Sequence, residues 1–273
     1  MSEHKAEVIH TEIWEEEPEA DNPFAAARCF CSGYDVYGEI LGKASWFEYL
    51  FLLFKRERPT RKQAQLLEGL AIALANPGPR DHSVRAAMNA GVGGSGAASA
   101  LMAALAVGAG GYGGAHEVAL AMEGWEACGL DLESWRKRLK KLPEQTRADV
   151  WPEMEHQPGF DPHGASCPTP IRQTLAHLAQ LSPDPSALSW LLAHRSSLEQ
   201  VVGYPLAMTG VAAAALHDLK LEARAGEALF LMLRLPGAAV HALEQRDYGW
   251  RRYPFFRDGL SLTDDPGLPA GDA

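Results

Sequence analysis

Residues 110–117 read GGYGGAHE and stand between an Ala- and Gly-rich apolar stretch and a helical pattern over residues 115–128. Paired glycines let the backbone turn tightly and present a side chain at the N-terminus of the helix that follows. Two further segments combine special backbone positions with reactive side chains: PGFDPH at residues 158–163 and RLPGAAVH at residues 234–241. Each segment alone is weak evidence of a functional site.

Helical patterns surround these segments. Ser45 and Thr60 are each placed to cap a helix, and leucines recur at helical spacing after Thr60. Further helices are predicted over residues 95–107, 115–128, 132–142, 170–181, 187–202, 206–219 and 222–245. The first of these is rich in Ala and Gly and is predicted to be a central core helix, and the last is predicted to be interrupted at Pro236-Gly237. Alternating strand patterns are nearly absent, so the sequence predicts an all-α protein.

The composition narrows the class of protein. Hydrophobic residues make up 47% of the 273-residue chain, which indicates a globular protein, and the net charge of −10 argues against binding to nucleic acid. The longest apolar run, residues 97–109, is too short to span a bilayer, and no secretory pattern is visible. The four cysteines form no metal-like CxxC pair, and the histidines, including His156, show no metal spacing. We therefore expect a cytoplasmic protein without a membrane anchor or a metal.

Together the three segments resemble the citrate synthase superfamily, especially its short citryl-CoA lyase-like branch, over roughly residues 33–254. The strongest matches are the Gly-Gly-Ala-x-Glu turn, the Pro-Gly-Phe segment and residues 234–241. The resemblance implies an all-α, dimer-forming, citrate-synthase-like fold. Its large helical domain is expected at residues 28–118 and 220–258 and its smaller helical domain at residues 119–219. Disordered tails are expected at residues 1–27 and 259–273.

Enzymes of this superfamily make or break a carbon–carbon bond between an acyl-CoA and an oxo-acid. A carboxylate takes the α-proton, one histidine stabilises the enolate, a second polarises the ketone, and arginines hold the substrate carboxylates. The resemblance thus implies a coenzyme A thioester and a small carboxylate or oxo-acid as partners, with no permanently bound cofactor, in a homodimer.

Three expected catalytic positions can be matched, and two of them carry a different residue. Tyr112 stands where the family carries its enolate-stabilising histidine, and a phenol can donate the same hydrogen bond. His163 matches the ketone-polarising histidine, although one residue is inserted before it. Thr209 stands at the position of the general base, which a threonine hydroxyl cannot serve near neutral pH without activation. Two alternatives stay open: a base at Asp161 or Glu117, or reaction in the cleavage direction, in which the substrate hydroxyl loses its proton.

The expected substrate-binding residues are mainly arginines. Arg172 keeps the family spacing of nine residues after His163, and Arg234 matches a carboxylate-binding arginine. The resemblance further implies contacts from Arg251 or Arg252, which would reach the partner subunit's site, and from His116 and His82. The changed catalytic positions leave a second function open: a non-catalytic subunit that binds acyl-CoA or carboxylate, or that pairs with an active paralogue.

Overall fold

The computed structural model describes residues 10–142 and 154–253 of the chain. The predicted helix starts are confirmed. The first two α-helices begin with capping boxes, in which Ser45 exchanges hydrogen bonds with Glu48, and Thr60 exchanges them with Gln63. Each box satisfies two of the backbone N–H groups that an α-helix leaves unpaired at its start.

Helices make up most of the described ranges, so the predicted helical fold is confirmed. The α-helices are α1 (Trp46–Lys55), α2 (Arg61–Leu74), α3 (His82–Val92), α4 (Ala97–Gly108), α5 (Ala115–Cys128), α6 (Leu132–Arg138), α7 (Thr169–Leu181), α8 (Ala187–Val202), α9 (Met208–Asp218) and α10 (Ala223–Tyr248). A π-helical turn spans Val36–Ile40, and a 3-10 turn spans Trp250–Arg252.

The long helix α10 packs against α3, α4 and α5, and α5 also packs against α9. A continuous hydrophobic core runs from Leu50 and Phe51 of α1, through Met122 of α5 and Leu216 of α9, to Phe230 of α10. The boundary expected after residue 118 falls inside α5, and this core extends to both sides of it. The two-domain division stays a prediction.

A small antiparallel sheet corrects the prediction for the N-terminal segment. Strands β1 (Trp14–Pro18), β2 (Ala26–Cys31) and β3 (Tyr34–Asp35) are paired in that order. The expected disordered tail at residues 1–27 is therefore wrong for β1 and for the start of β2. The acidic run in β1 resembled a solvated tail, but Arg28 forms ion pairs with Glu17 and Asp35 across the sheet. The tail expected at residues 259–273 lies outside the described residues.

Helix α10 continues through Pro236, so the predicted interruption is wrong. Proline lacks the N–H that would bond one turn back, which locally weakens the helix. The next N–H, that of Gly237, donates to the Ala75 carbonyl oxygen at 2.7 Å. A Cβ at Gly237 would clash with that oxygen, so only glycine allows α10 to approach the end of α2 this closely.

The prediction that α4 is a central core helix is wrong for the single chain. Its buried face carries Ala100, Ala104 and Gly108. On the opposite face Met102 is 61% exposed and Val107 is 45% exposed. Small residues do permit close packing of α4 against α3 and α10, but these two helices cover only one face of α4.

Candidate active site

The GGYGGAHE segment forms the turn that leads into α5. Gly113 has a φ of +63°, a conformation that favours glycine, and a Cβ at Gly114 would clash with the carbonyl oxygens of Gly108 and Gly110. Both glycines are therefore required by the backbone path. The turn leaves the Tyr112 side chain 46% exposed, just before the first residue of α5.

Tyr112 and His163 lie together, although 51 residues separate them in the chain. The Tyr112 hydroxyl lies 2.7 Å from Nε2 of His163, in a hydrogen bond whose direction depends on the imidazole tautomer. The His163 backbone N–H donates to Oδ1 of Asp161 at 2.9 Å, and the Asp161 N–H donates to the Pro205 carbonyl oxygen at 2.9 Å. These bonds position the loop that carries His163.

The surroundings keep the Tyr112 phenol protonated. Partial burial raises the pKa of this phenol, and the carboxylates of Asp161 and Glu117 raise it further. Because tyrosine has an ordinary pKa of about 10, a raised value keeps the O–H intact at neutral pH. At neutral pH Tyr112 therefore keeps a hydroxyl proton that it can donate in a hydrogen bond, and it is not a base.

Behind this pair, a buried carboxylate joins three parts of the chain. Glu117 is 1% exposed. Its Oε2 accepts the N–H of Gly113 at 2.7 Å, and its Oε1 accepts the N–H of Gly159 at 2.9 Å and the Thr209 hydroxyl at 2.6 Å. The glutamate thus fixes the Gly-Gly turn, the Pro-Gly-Phe turn and the start of α9 relative to one another.

Thr209 is 4% exposed and serves as a donor to Glu117. The next residue, Gly210, lies against Gly159: a Cβ on Gly159 would come within 2.9 Å of the Gly210 Cα. The family resemblance places Thr209 at the base position but indicates no partner for it. The structure supplies the partner, a carboxylate that lies 92 residues away in the chain.

His156 is a site residue that the sequence patterns do not predict. It is 3% exposed, with Nε2 3.4 Å from Oε2 of Glu117, and its ring centroid lies 4.8 Å from that of Tyr112. Its Nδ1 has no hydrogen-bond partner within the described ranges. The sequence offers one indication of its role: His156 lies two residues before Pro158, where the Pro-Gly-Phe turn begins.

Arg234 is buried and paired. It is 7% exposed, forms an ion pair with Asp81, and donates from Nη1 to the Gly113 carbonyl oxygen at 3.0 Å. Burial lowers the pKa of its guanidinium, and the Asp81 carboxylate opposes that effect. Asp81 also caps α3 by accepting the N–H groups of Ser83 and Val84. In this conformation, Arg234 therefore connects α10 to the start of α3 and to the Gly-Gly turn.

The other predicted binding residues lie at the surface. Arg172 is exposed and donates to the Thr169 hydroxyl at 2.8 Å, and the guanidinium of Arg251 lies 5.2 Å from the Trp250 ring centroid. Arg252, His116 and His82 are also exposed. Within residues 10–142 and 154–253, no hydrogen bond or ion pair joins these five residues to Tyr112 or His163.

Residues 10–142 and 154–253 contain no candidate metal site and no candidate membrane span. In those two ranges, no group of three or more His, Cys, Asp or Glu side chains could hold a metal ion. None of the helices in the same ranges is long and apolar enough to cross a membrane.

The fold is that of the citryl-CoA lyases, a citrate-synthase-like helical fold. Citryl-CoA lyase from Hydrogenobacter thermophilus has a TM-score of 0.69 and 18% identity, with 96% of this chain and 98% of that chain covered. ATP citrate lyase from Methanothrix soehngenii, in complex with citrate and coenzyme A, has a TM-score of 0.70 and 18% identity over 98% of this chain.

ATP citrate lyase from Methanosaeta concilii, a D541A mutant in complex with (3S)-citryl-CoA, has a TM-score of 0.71 and 17% identity over 98% of this chain. The chain spans 43% of the length of each ATP citrate lyase. No family model and no curated protein matches the sequence. The resemblance predicted from the sequence is confirmed for the fold.

Proposed function

We propose that this chain is a citrate synthase/citryl-CoA lyase-like enzyme, which makes or cleaves a carbon–carbon bond between an acyl-CoA and an oxo-acid with altered acid and base residues. The observation that carries the proposal is the exposed Tyr112–His163 pair at 2.7 Å. It lies on two glycine turns that a buried glutamate holds together. Citrate, coenzyme A and citryl-CoA in the neighbouring ATP citrate lyase structures support this choice of ligands.

Tyr112 and His163 fit the two ends of a cleavage step. In this direction Nε2 of His163 accepts the proton of the substrate's tertiary hydroxyl, and that carbon becomes the ketone of the oxo-acid. The electrons of the broken carbon–carbon bond move to the thioester, whose oxygen becomes an enolate and accepts a hydrogen bond from Tyr112. The α-carbon then takes a proton, for which the Thr209 hydroxyl is not a suitable acid.

The phenol suits this role because its pKa is raised. It donates to a developing oxyanion without losing its own proton, as an oxyanion hole requires. The hydrogen bond between Tyr112 and His163 has to open for substrate to enter, because 2.7 Å leaves no space for an atom between them.

We further propose that the enzyme is a cytoplasmic homodimer, with Arg172 as a carboxylate contact and with Arg251 or Arg252 reaching the partner's site. An open apolar groove of about 480 Å³, lined in part by Trp46, Ile72 and Met232, supports association. The exposed face of α4 beside it adds further apolar surface. Sedimentation that shows only monomer would contradict the dimer.

The function is tested by cleavage of citryl-CoA, with the released oxaloacetate measured through NADH oxidation by malate dehydrogenase. Tyr112→Phe removes one oxyanion donor and should lower kcat about 10²- to 10³-fold. His163→Asn should lower it about 10²- to 10⁴-fold, the range of a lost acid–base group. Tyr248→Phe is the matched control, because this exposed tyrosine lies at the end of α10. Full activity in the Tyr112→Phe variant would contradict the assignment.

One observation favours the alternative of a non-catalytic binding subunit. Position 209 carries no carboxylate, and the hydroxyl of the threonine there donates a hydrogen bond to Glu117. A wild-type protein that binds coenzyme A and citrate in calorimetry, but neither cleaves citryl-CoA nor condenses acetyl-CoA with oxaloacetate, would support that alternative.

A further inference from the structure

The proposed cleavage leaves one proton transfer unassigned, and the inference drawn from it rests on the proposed function. Some group must exchange a proton with the α-carbon of the thioester. Thr209 cannot do so, because its hydroxyl is neither basic nor free: it donates to Oε1 of Glu117 at 2.6 Å. The α-proton therefore needs another acceptor, one that lies beside Tyr112.

His156 has the chemistry of such an acceptor. Its Nε2 lies 3.4 Å from Oε2 of Glu117, while its Nδ1 is buried without a hydrogen-bond partner among the described residues. Leaving a buried polar atom unpaired lowers stability, so its presence calls for a reason. With the proton on Nε2, facing the carboxylate, the free lone pair is on Nδ1.

We propose that Glu117 and His156 form a base dyad that replaces the carboxylate missing at position 209. Nδ1 of His156 takes the α-proton of the acyl-CoA, and the electrons of the broken C–H bond move to the thioester oxygen as an enolate. The resulting imidazolium is stabilised by the Glu117 carboxylate across Nε2–H. In the cleavage direction, the same imidazolium returns its proton to the α-carbon.

The arrangement of the rings suits this division of roles. The centroids of Tyr112 and His156 are 4.8 Å apart, so a donor for the enolate oxygen and an acceptor for the α-proton lie side by side. The enolate oxygen and the α-proton of the substrate are separated by two carbons, the carbonyl carbon and the α-carbon. His156 is only 3% exposed, and the 46% exposed Tyr112 side chain lies next to it. The Tyr112 side chain must therefore rotate before the substrate can reach Nδ1 of His156.

The network around Glu117 makes the dyad rigid. Its carboxylate already accepts two backbone N–H groups and the Thr209 hydroxyl. A carboxylate held in this way orients the imidazole and fixes its tautomer, as the aspartate does in hydrolase triads. Thr209 is thus a positioning residue, which acts through Glu117.

The test measures exchange of the acetyl-CoA α-protons in D2O by NMR, with and without malate, which has no keto group to accept the enolate. His156→Phe keeps an aromatic ring but removes the base, and it should slow exchange about 10²- to 10⁴-fold while the Kd for acetyl-CoA stays unchanged. His217→Phe is the control: this histidine is partly buried and stacked on Trp125, about 12 Å along α9 from Thr209. It should exchange at the wild-type rate.

The outcomes separate the two proposals. Wild-type protein that neither exchanges acetyl-CoA nor cleaves citryl-CoA overturns the proposed function, and the base with it. Wild-type protein that cleaves citryl-CoA, combined with undiminished exchange in His156→Phe, overturns the base alone. If His156→Phe does not fold, nitrogen-15 spectra of the wild type decide. A proton on Nε2 and none on Nδ1 supports the dyad, and the opposite tautomer overturns it.

Discussion

The site has a buried half and an open half, and the two differ in how their side chains are satisfied. The buried half is defined by Glu117, His156, Thr209, Arg234 and Asp81, and the open half by Tyr112, His163 and Arg172. In the buried half, Glu117 and Arg234 each make several contacts with backbone and side-chain groups. In the open half, Tyr112 and His163 bond mainly to each other, and Arg172 bonds to a hydroxyl on its own helix.

The two halves have different tasks, structural pairing in one and ligand binding in the other, which the family resemblance alone does not distinguish. Arg172 and Arg234 were both matched to carboxylate binding, but only Arg172 is exposed in this conformation. Apart from His156, the proposed base, changes in the buried half should therefore act mainly on the free energy of unfolding. Changes in the open half should act mainly on turnover and on ligand affinity.

The largest effect is expected from Thr209→Asp. The new carboxylate would lie against Glu117, replacing a hydrogen bond of 2.6 Å with like-charge repulsion in a buried place. We expect a loss of about 5 kcal/mol in the free energy of unfolding, measured in urea at pH 7.5. Because protonation of one carboxyl relieves the repulsion, the loss should shrink as the pH falls towards 5.

Thr209→Ser is the matched control for that substitution, since it keeps the hydroxyl and should cost about 1 kcal/mol for the lost methyl group. A Thr209→Asp protein as stable as wild type would show that Glu117 and residue 209 are not in contact, and it would break the distinction between the halves.

Arg234→Ala should have the next largest effect. It leaves the Asp81 carboxylate without its cation and the Gly113 carbonyl oxygen without its donor. We expect the free energy of unfolding to fall by about 3 kcal/mol. Adding Asp81→Asn removes the unpaired charge and should restore part of the loss in a double-mutant cycle. Unchanged stability combined with weaker citrate binding would instead assign Arg234 to the ligand.

Arg172→Ala should show the opposite pattern. Loss of a charge-assisted hydrogen bond to a carboxylate should raise the Kd for citrate about tenfold, or about 1.4 kcal/mol. The free energy of unfolding should change by less than about 0.5 kcal/mol, because the side chain is exposed. Arg224→Ala, at an exposed position on α10, is the control in the same calorimetric titration. Equal affinities in both variants would remove Arg172 from the binding site.

The smallest effect concerns the Tyr112 phenol. Its pKa is raised in the folded protein, so folding favours the protonated form. The contribution to stability is fully present below the unfolded pKa of about 10 and is lost as the pH rises through the folded value. A difference titration at 295 nm between wild type and Tyr112→Phe should have its midpoint above 10. A midpoint below 10 would make the phenol a candidate base.

Local signals account for the parts of the fold that could be predicted. Ser45 and Thr60 act within one helical turn of their partners, so the sequence alone indicates both caps. The strand Trp14–Pro18 was missed because its stabilising partners lie on β2, which no local pattern identifies. Pro236 locally indicates a break, whereas the N–H of the next residue donates to the Ala75 carbonyl oxygen, 162 residues away in the chain.

The same limit applies to the site. The resemblance indicated Tyr112 and His163, and the structure brings the two together. The partners of Arg234 and Thr209 lie 153 and 92 residues away in the chain, so no spacing rule points to them. His156 carries no motif of its own, and only its place beside Glu117 and Tyr112 makes it a candidate.

The bonds of Glu117 and Arg234 also bear on how the site arises during synthesis. The hydrogen-bond partners of Glu117, Gly159 and Thr209, are synthesised after it, and Arg234 is synthesised after its partner Gly113. At about 5–20 residues per second, the ribosome needs several seconds to travel from residue 117 to residue 234. Over that interval the nascent chain carries the Glu117 carboxylate without the full set of groups that enclose it in the folded protein. The hydrogen bond from Arg234 to Gly113 therefore forms last, once α10 has left the exit tunnel.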